Sequence, residues 1–284
     1  MNVTEIASKE FKSLGRDAFR KEYNPVALKA QVVDLGDICY ISYGLRPNSD
    51  ERFWKGEFTA KDIIAESKDK IHCKPYVEGK DLGNYKISRI RYLEWNTSRI
   101  PKKLVRPTFP ELYNRPKIMR GIMTGGIFDD TGIICNHSIV VFVMFVDLYG
   151  VNNKSIQTSI KKFNRIPRDQ LERISEKFDL KYLLAILNSS FALRYLNNIR
   201  RHRLENYFYP NDFRKLPITD ISSKEQKPLI DLVDKILAIT KDDDYLKNNA
   251  KQANVREYEK QIDQLVYELY GLTEEEITIV EGKA

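Results

Sequence analysis

The hydrophobic positions change period several times along the chain, and each change marks an element. From Thr4 to Glu22, Ile6, Phe11, Leu14 and Phe19 recur among charged residues at roughly helical spacing, and Asn24-Pro25 stops the pattern. This predicts a leading amphipathic helix. The run Asp37-Ile-Cys-Tyr-Ile-Ser-Tyr43, closed by Gly44, predicts a strand, and the alternation from Tyr85 to Leu93 predicts another. Lys117 to Met123, Ile133-Ile134 and Ser138 to Val146 read as consecutive strands, with turns at Gly125-Gly126 and Asp129-Asp130. The last of them is apolar on both faces and therefore belongs in a covered sheet.

Beyond a polar loop from about Asn152 to Lys162 the period becomes helical. Helices are expected over Leu171 to Phe178 and Leu180 to Ile199, the second carrying a stripe of Leu183, Leu184, Leu187, Phe191 and Tyr195. A connector from Tyr209-Pro210 to Leu216-Pro217 leads into helices at Pro228 to Ile239 and about Tyr245 to Tyr270. In the last one Val255, Tyr258, Ile262, Leu265 and Leu269 form a seam that serves either a coiled-coil partner or docking within the chain. Gly271 ends it, and Thr273-Glu-Glu-Glu276 has the form of a capping box opening a short final helix. The order predicts an α+β fold, a twisted mixed or antiparallel sheet with packed helices followed by a C-terminal helical region. The main domain is placed at residues 1–217 and the helical subdomain at 218–284.

Composition adds where charge and chemistry sit. With 284 residues, 42% of them hydrophobic, 16 Tyr and 13 Phe, the chain has the material for a core. The net charge of +7 and pI near 9.0 favour polyanions only modestly. The excess is local, because the stretch from Lys86 to Arg120 holds ten Lys/Arg against Glu94 and Glu111. Cys39, Cys73 and Cys135 are too few and too far apart for a disulfide framework and fit a reducing, cytoplasmic compartment. No apolar run approaches the roughly 20 residues of a membrane span, and no signal-peptide core follows Met1.

Catalytic patterns are missing from the sequence. A methyltransferase that uses S-adenosylmethionine needs a Gly-rich turn, and one acting on adenine needs an Asn/Asp-Pro-Pro-aromatic loop; Asn24-Pro25-Val26 lacks the second proline and the aromatic residue. There is no phosphate-binding Gly-rich loop and no nucleophile elbow. Asp50 with Glu66-Ser67-Lys68 fits a nuclease pattern loosely, but so does Glu225-Gln226-Lys227, as chance allows in a chain this rich in charge. His72-Cys73 and Cys135-Asn136-His137 lack the spacing usual for zinc and read instead as buried thiols and polar histidines. We expect no catalytic and no metal-binding residues.

The basic stretch interleaves Tyr85, Arg89, Arg91, Tyr92, Trp95, Arg99, Lys102, Lys103 and Arg106. Cations there can neutralise phosphates, and arginine can also pair with a guanine edge. Arg89 and Arg91, two apart on an expected strand, would share a face. The bland alternative for any one of them is a solvated face with snorkelling side chains. A second cluster, Arg200-Arg201-His202-Arg203, follows an apolar helix and suits both helix capping and phosphate binding.

The order of motifs resembles the TaqI-like C-terminal specificity domain of type IIG restriction-modification adenine methyltransferases. The matching segments are Tyr40-Ile-Ser-Tyr-Gly-Leu45, Lys74-Pro-Tyr-Val-Glu-Gly-Lys-Asp-Leu-Gly-Asn-Tyr85, Arg115-Pro-Lys-Ile118 and Asn136-His-Ser138. They continue with Tyr182-Leu-Leu-Ala-Ile-Leu-Asn-Ser189, Leu216-Pro-Ile218 and Ile262-Asp-Gln-Leu-Val-Tyr-Glu-Leu-Tyr-Gly-Leu272, so the likeness runs from about Asp34 to Gly282. It implies a non-catalytic target-recognition module that binds double-stranded DNA and presents an adenine to an N-terminal methyltransferase domain or subunit. S-adenosylmethionine and magnesium then belong to those catalytic parts and not to this chain. Together with the basic residues, it puts candidate DNA contacts at Tyr43, Arg46, Asn48, Lys80, Tyr85, Arg89, Arg91, Arg99, Lys102, Lys103, Arg120, Arg200, Arg201 and Arg203. The alternatives are a protein-interaction scaffold in a phage-defence complex and an RNA-binding protein stacking bases on the same Arg and Tyr residues.

Overall fold

The computed structural model describes residues 31–47, 57–105, 109–199 and 207–282. The expected leading helix and Arg106 lie outside the described residues. In chain order the strands are β1 (Val32–Asp34), β2 (Cys39–Tyr43), β3 (Ile64–Ala65), β4 (His72–Val77), β5 (Arg91–Glu94), β6 (Lys117–Gly121), β7 (Gly126–Asp129), β8 (Ile134–Cys135), β9 (Ile139–Met144) and β10 (Pro217–Thr219). They form three sheets: a ribbon of β1 and β10, a central sheet ordered β2-β9-β6-β7, and a second sheet ordered β3-β5-β4-β8. The central sheet is antiparallel throughout, whereas β4 and β8 run parallel in the second. The fold class is α+β, as the patterning predicts, with its β part divided among three sheets.

The reason for the division lies in β9. All six of its residues are buried, and a strand sends alternate side chains to opposite faces. Val140, Phe142 and Met144 join a core shared with the helices, while Ile139, Val141 and Val143 join a core shared with the second sheet. Neighbouring strands divide the same way, with Ile118 and Met119 of β6, and Ile41 and Tyr40 of β2, going to the helical and the sheet side respectively. The central sheet is thus a partition between two apolar layers.

Helices α1 (Lys154–Phe163), α2 (Arg168–Ser175), α3 (Leu180–Asn188), α4 (Ser190–Ile199), α5 (Ser223–Thr240), α6 (Asn249–Tyr270) and α7 (Glu274–Val280) follow. The first corrects the polar loop expected near Asn152 to Lys162. Asn153 caps it by accepting from Ser155 N at 2.8 Å, and Ile156 and Ile160 give it a narrow apolar edge among lysines. The single helix expected from Leu180 to Ile199 is broken at Ser189, whose extended backbone lets its Oγ accept from Ala192 N at 3.2 Å and start α4. Pro228 does not begin its helix but sits inside α5, which opens at a capping box of Ser222 and Glu225. The loose nuclease pattern at Glu225 is therefore part of a helix cap.

Three strand expectations also change. Residues 35–38 form a helical turn before β2, and Ile134 joins the second sheet through β4 instead of extending the central one. The strand expected from Tyr85 to Leu93 is confined to Arg91–Glu94, because Tyr85 sits at φ 60°, in the left-handed region. The C-terminal seam docks within the chain. Val255 and Ile262 are buried, and Tyr258, Leu265 and Leu269 pack against the same core that holds Leu183 and Phe142. Gly271 (φ 66°) and the Thr273 capping box end α6 and open α7 as read from the sequence. The 217/218 boundary falls inside β10, where Tyr270 Oη donates to Pro217 O at 2.6 Å.

Candidate nucleic-acid interface

At one end of the central sheet, several loops meet on the tripeptide Asn136-His137-Ser138. Leu45 N donates to Cys135 O and Gly44 N to Ile139 O, both at 2.9 Å, which ties in the loop after β2. Gly44 is required there, because a Cβ would strike the carbonyl oxygens of Cys135 and Asn136. Gly79 N donates to Ser138 Oγ at 2.9 Å, and Ile122 N to Ser138 O at 3.1 Å. Asn136 Oδ1 holds the tripeptide in shape by accepting from Ser138 N (3.1 Å) and Ser138 Oγ (2.5 Å). Arg46 N donates to Val105 O at 2.8 Å, and Phe208 N to Ile122 O at 3.0 Å, so the 99–105 loop and the start of the 207–213 segment reach the same rim.

What the rim presents is cationic and polar. Arg46, Lys80 and His137 are exposed. Loss of water around the His137 ring, and then the Arg46 charge, hold its pKa below the ordinary histidine value, with Glu78 pulling the other way. The imidazole is therefore neutral at neutral pH and can both donate and accept a hydrogen bond. Lys80 stands 2.9 Å from Glu78, which also pairs with Arg91. Burial opposes the Glu78 charge, but these two cations outweigh it and keep the carboxyl below its usual range.

The candidate contacts drawn from the sequence separate into groups. Arg46 and Lys80 lie on loops tied to the rim, Tyr43 ends β2 half-buried against the helical core, and Lys102 and Lys103 lie on the loop that joins the rim through Val105. Arg89 is exposed in the loop before β5 and is paired with Glu66, just past β3, at 2.6 Å. Arg99 is beside the second sheet, paired with Glu94 at 2.6 Å and set over the Phe58 ring at 5.5 Å. Asn48, Arg200, Arg201 and Arg203 lie outside the described residues.

Three of the candidates are corrected, because their side chains face inward. Arg91 is 7% exposed and ion-paired with Asp81 and Glu78, so it shares no open face with Arg89. Arg120 is 5% exposed; its Nη1 donates to Leu187 O at 2.7 Å and to Asn188 Oδ1 at 3.1 Å, at the carbonyl end of α3. Burial pushes its pKa down to about 10. Tyr85 is 4% exposed, with its carbonyl accepting from Thr240 Oγ1 at 3.0 Å. Beside it, Lys86 donates to Thr240 O at 2.5 Å and so caps α5. Within the basic stretch, Lys86, Arg91 and Arg120 therefore serve the fold.

From the sequence His137 reads as an ordinary polar histidine, and the hydrophobic pattern does not single out Met123 or Tyr207, which are 61% and 39% exposed. The signal for His137 was present in the Asn136-His-Ser138 motif. No group of three or more His, Cys, Asp or Glu among the described residues could hold a metal ion. No helix among them is long and apolar enough to cross a membrane.

The site and fold together describe an α+β chain that gathers loops into one cationic rim. No family model matches the chain, and no curated protein matches it. Among solved structures, it is similar to a chain from a study of complex assembly and conformational transition of the type I R-M system, at 13% identity and a TM-score of 0.42. It is also similar to the HsdS subunit from Thermoanaerobacter tengcongensis (13%, TM-score 0.39) and to the type IIG restriction endonuclease BpuSI (12%, TM-score 0.35). These likenesses cover 94%, 94% and 92% of this chain and 56%, 52% and 33% of the others, so it spans about a third to just over half of their length.

Proposed function

We propose that the chain is a target-recognition module of a restriction-modification system, which binds duplex DNA at the rim around Asn136-His137-Ser138 and directs an adenine methyltransferase to a short site. The observation that carries the reading is the convergence of separate loops on that tripeptide, with Arg46, Lys80 and His137 outward and the hydrogen bonds that fix them inward. A reader of DNA needs cations for the phosphates and a few rigid polar groups for base edges, and this is what the rim offers. The ordered family motifs support the same reading, since the Gly-Leu, Gly-Lys-Asp and Asn-His-Ser segments of the resemblance are the ones that meet here. In this reading the chain carries no reaction of its own. S-adenosylmethionine and magnesium belong to a methyltransferase part that acts as its partner, on the same polypeptide or as a separate subunit.

The test is binding to pooled random duplexes at low salt, followed by selection of the bound fraction. A steep fall in affinity with salt and enrichment of one short sequence are expected. Undetectable binding to the pool, or preference for single-stranded RNA of the same length, overturns the reading.

A further inference from the structure

We propose that Met123 is a wedge that enters between two base steps of the duplex held at this rim. The inference rests on the DNA-reading function above and adds to it a way of deforming the DNA. Met123 stands at the tip of the turn between β6 and β7 and is 61% exposed, while its neighbour Ile122 packs against the helical core. The turn is held on all sides. Gly121 N donates to Gly125 O and Thr124 N to Gly121 O, each at 3.4 Å, and Thr124 Oγ1 donates to Gly79 O at 3.3 Å. Ile122 is bonded through its N–H to Ser138 O and through its carbonyl to Phe208 N. Side chains at 121 and 125 have no room, because a Cβ would collide with Thr124 at the first and with Asn84 at the second.

Met123 leaves most of its surface in water on a braced turn, and the energy of burying that part is free to be used elsewhere. Its surroundings indicate where. Thr124 on one side of Met123 is bonded to Gly79, next to Lys80, and Ile122 on the other to Ser138, next to His137, so the turn lies between the segments that carry the cation and the imidazole. A single apolar tip among such groups is too small to dock a protein surface, which needs a contiguous apolar area of some hundreds of Å². It does match the apolar wedge of DNA-bending proteins, in which a side chain such as Met, Leu or Phe enters the gap opened between bases while cations hold the flanking phosphates.

The experiment uses the full chain and the sequence enriched by the selection described above, with 2-aminopurine placed at each position in turn. The expected result is that one step brightens severalfold on binding, that Met123→Ala abolishes this and weakens binding about tenfold, and that Met123→Leu restores both. The salt slope should be the same for all three proteins, since no phosphate contact is lost. Enrichment of a sequence without any brightened step, or brightening that survives Met123→Ala, overturns the wedge and leaves the DNA-reading function standing. Failure to enrich any sequence overturns both. Unchanged thermal unfolding of Met123→Ala separates a lost wedge from a lost fold.

Discussion

Lys117 is fully buried and pairs with Asp129, itself almost without exposure, while its Nζ also donates to Tyr113 O at 2.6 Å. The carboxylate shapes the following turn by accepting from Thr131 Oγ1 at 2.6 Å and Ile133 N at 3.0 Å. Removing the cation alone leaves a buried charge uncompensated, so Lys117→Met is expected to destabilise the fold by roughly 3–5 kcal/mol, with part recovered in Lys117→Met/Asp129→Asn. Urea unfolding of the single and double variants measures this. On α6, burial and the nearby Asp263 raise the pKa of Glu259, which accepts from Asn84 Nδ2 at 2.9 Å. A carboxyl whose folded pKa lies above its unfolded value favours the folded state most below that unfolded value, and this contribution is lost as pH rises through the folded pKa. Glu259→Gln, which keeps the acceptor, should therefore be more stable than the parent at pH 7 and no more stable at pH 4; an equal difference at both would refute it. Such burial could not be read from the chain. Arg91 and Arg120 look like surface arginines until the fold brings Glu78 and Asp81 to one and the end of α3 to the other.

Among the elements, β9 and the α6 seam were legible because a six-residue apolar strand and a three-four spacing have few other uses. Phe142 shows what the strand contributes. It is fully buried and meets Phe213 edge-to-face at 5.2 Å, so Phe142→Ala should cost roughly 3–5 kcal/mol in chemical denaturation. The misread elements have short or masked periodicity. In α1 only Ile156 is fully buried, so lysine and polar residues dominate its composition. Ser189 interrupts the helical stripe without changing its apolar phase, and β8 is too short, at 2 residues, to reveal which sheet it joins.

For the whole molecule, many cations among the described residues have acidic partners, Lys80 as well as Arg89, and only some of them stand at the rim. Affinity for DNA should therefore depend on a few positions and not on net charge. Arg46→Ala and Lys80→Ala are each expected to weaken duplex binding and lower the slope of log affinity against log salt by about 1, whereas Arg89→Ala leaves both unchanged. Filter binding over a salt series distinguishes the two groups. The α+β class and the Gly-Leu, Gly-Lys-Asp and Asn-His-Ser segments could be read in advance, but their meeting at one end is a property of the three-dimensional fold. The partition made by β9 has a further consequence. Inserting or deleting one residue between Ile139 and Met144 would exchange the contents of the two cores, so that strand cannot drift in length. Around Asn136-His137-Ser138, by contrast, the bonds run through backbone atoms and a few fixed side chains, and the side chains at 46, 80, 123 and 137 are not among them. The molecule is a frame with a replaceable face, and a library randomised at those four positions should keep cooperative unfolding while its members part company in the sequences they select.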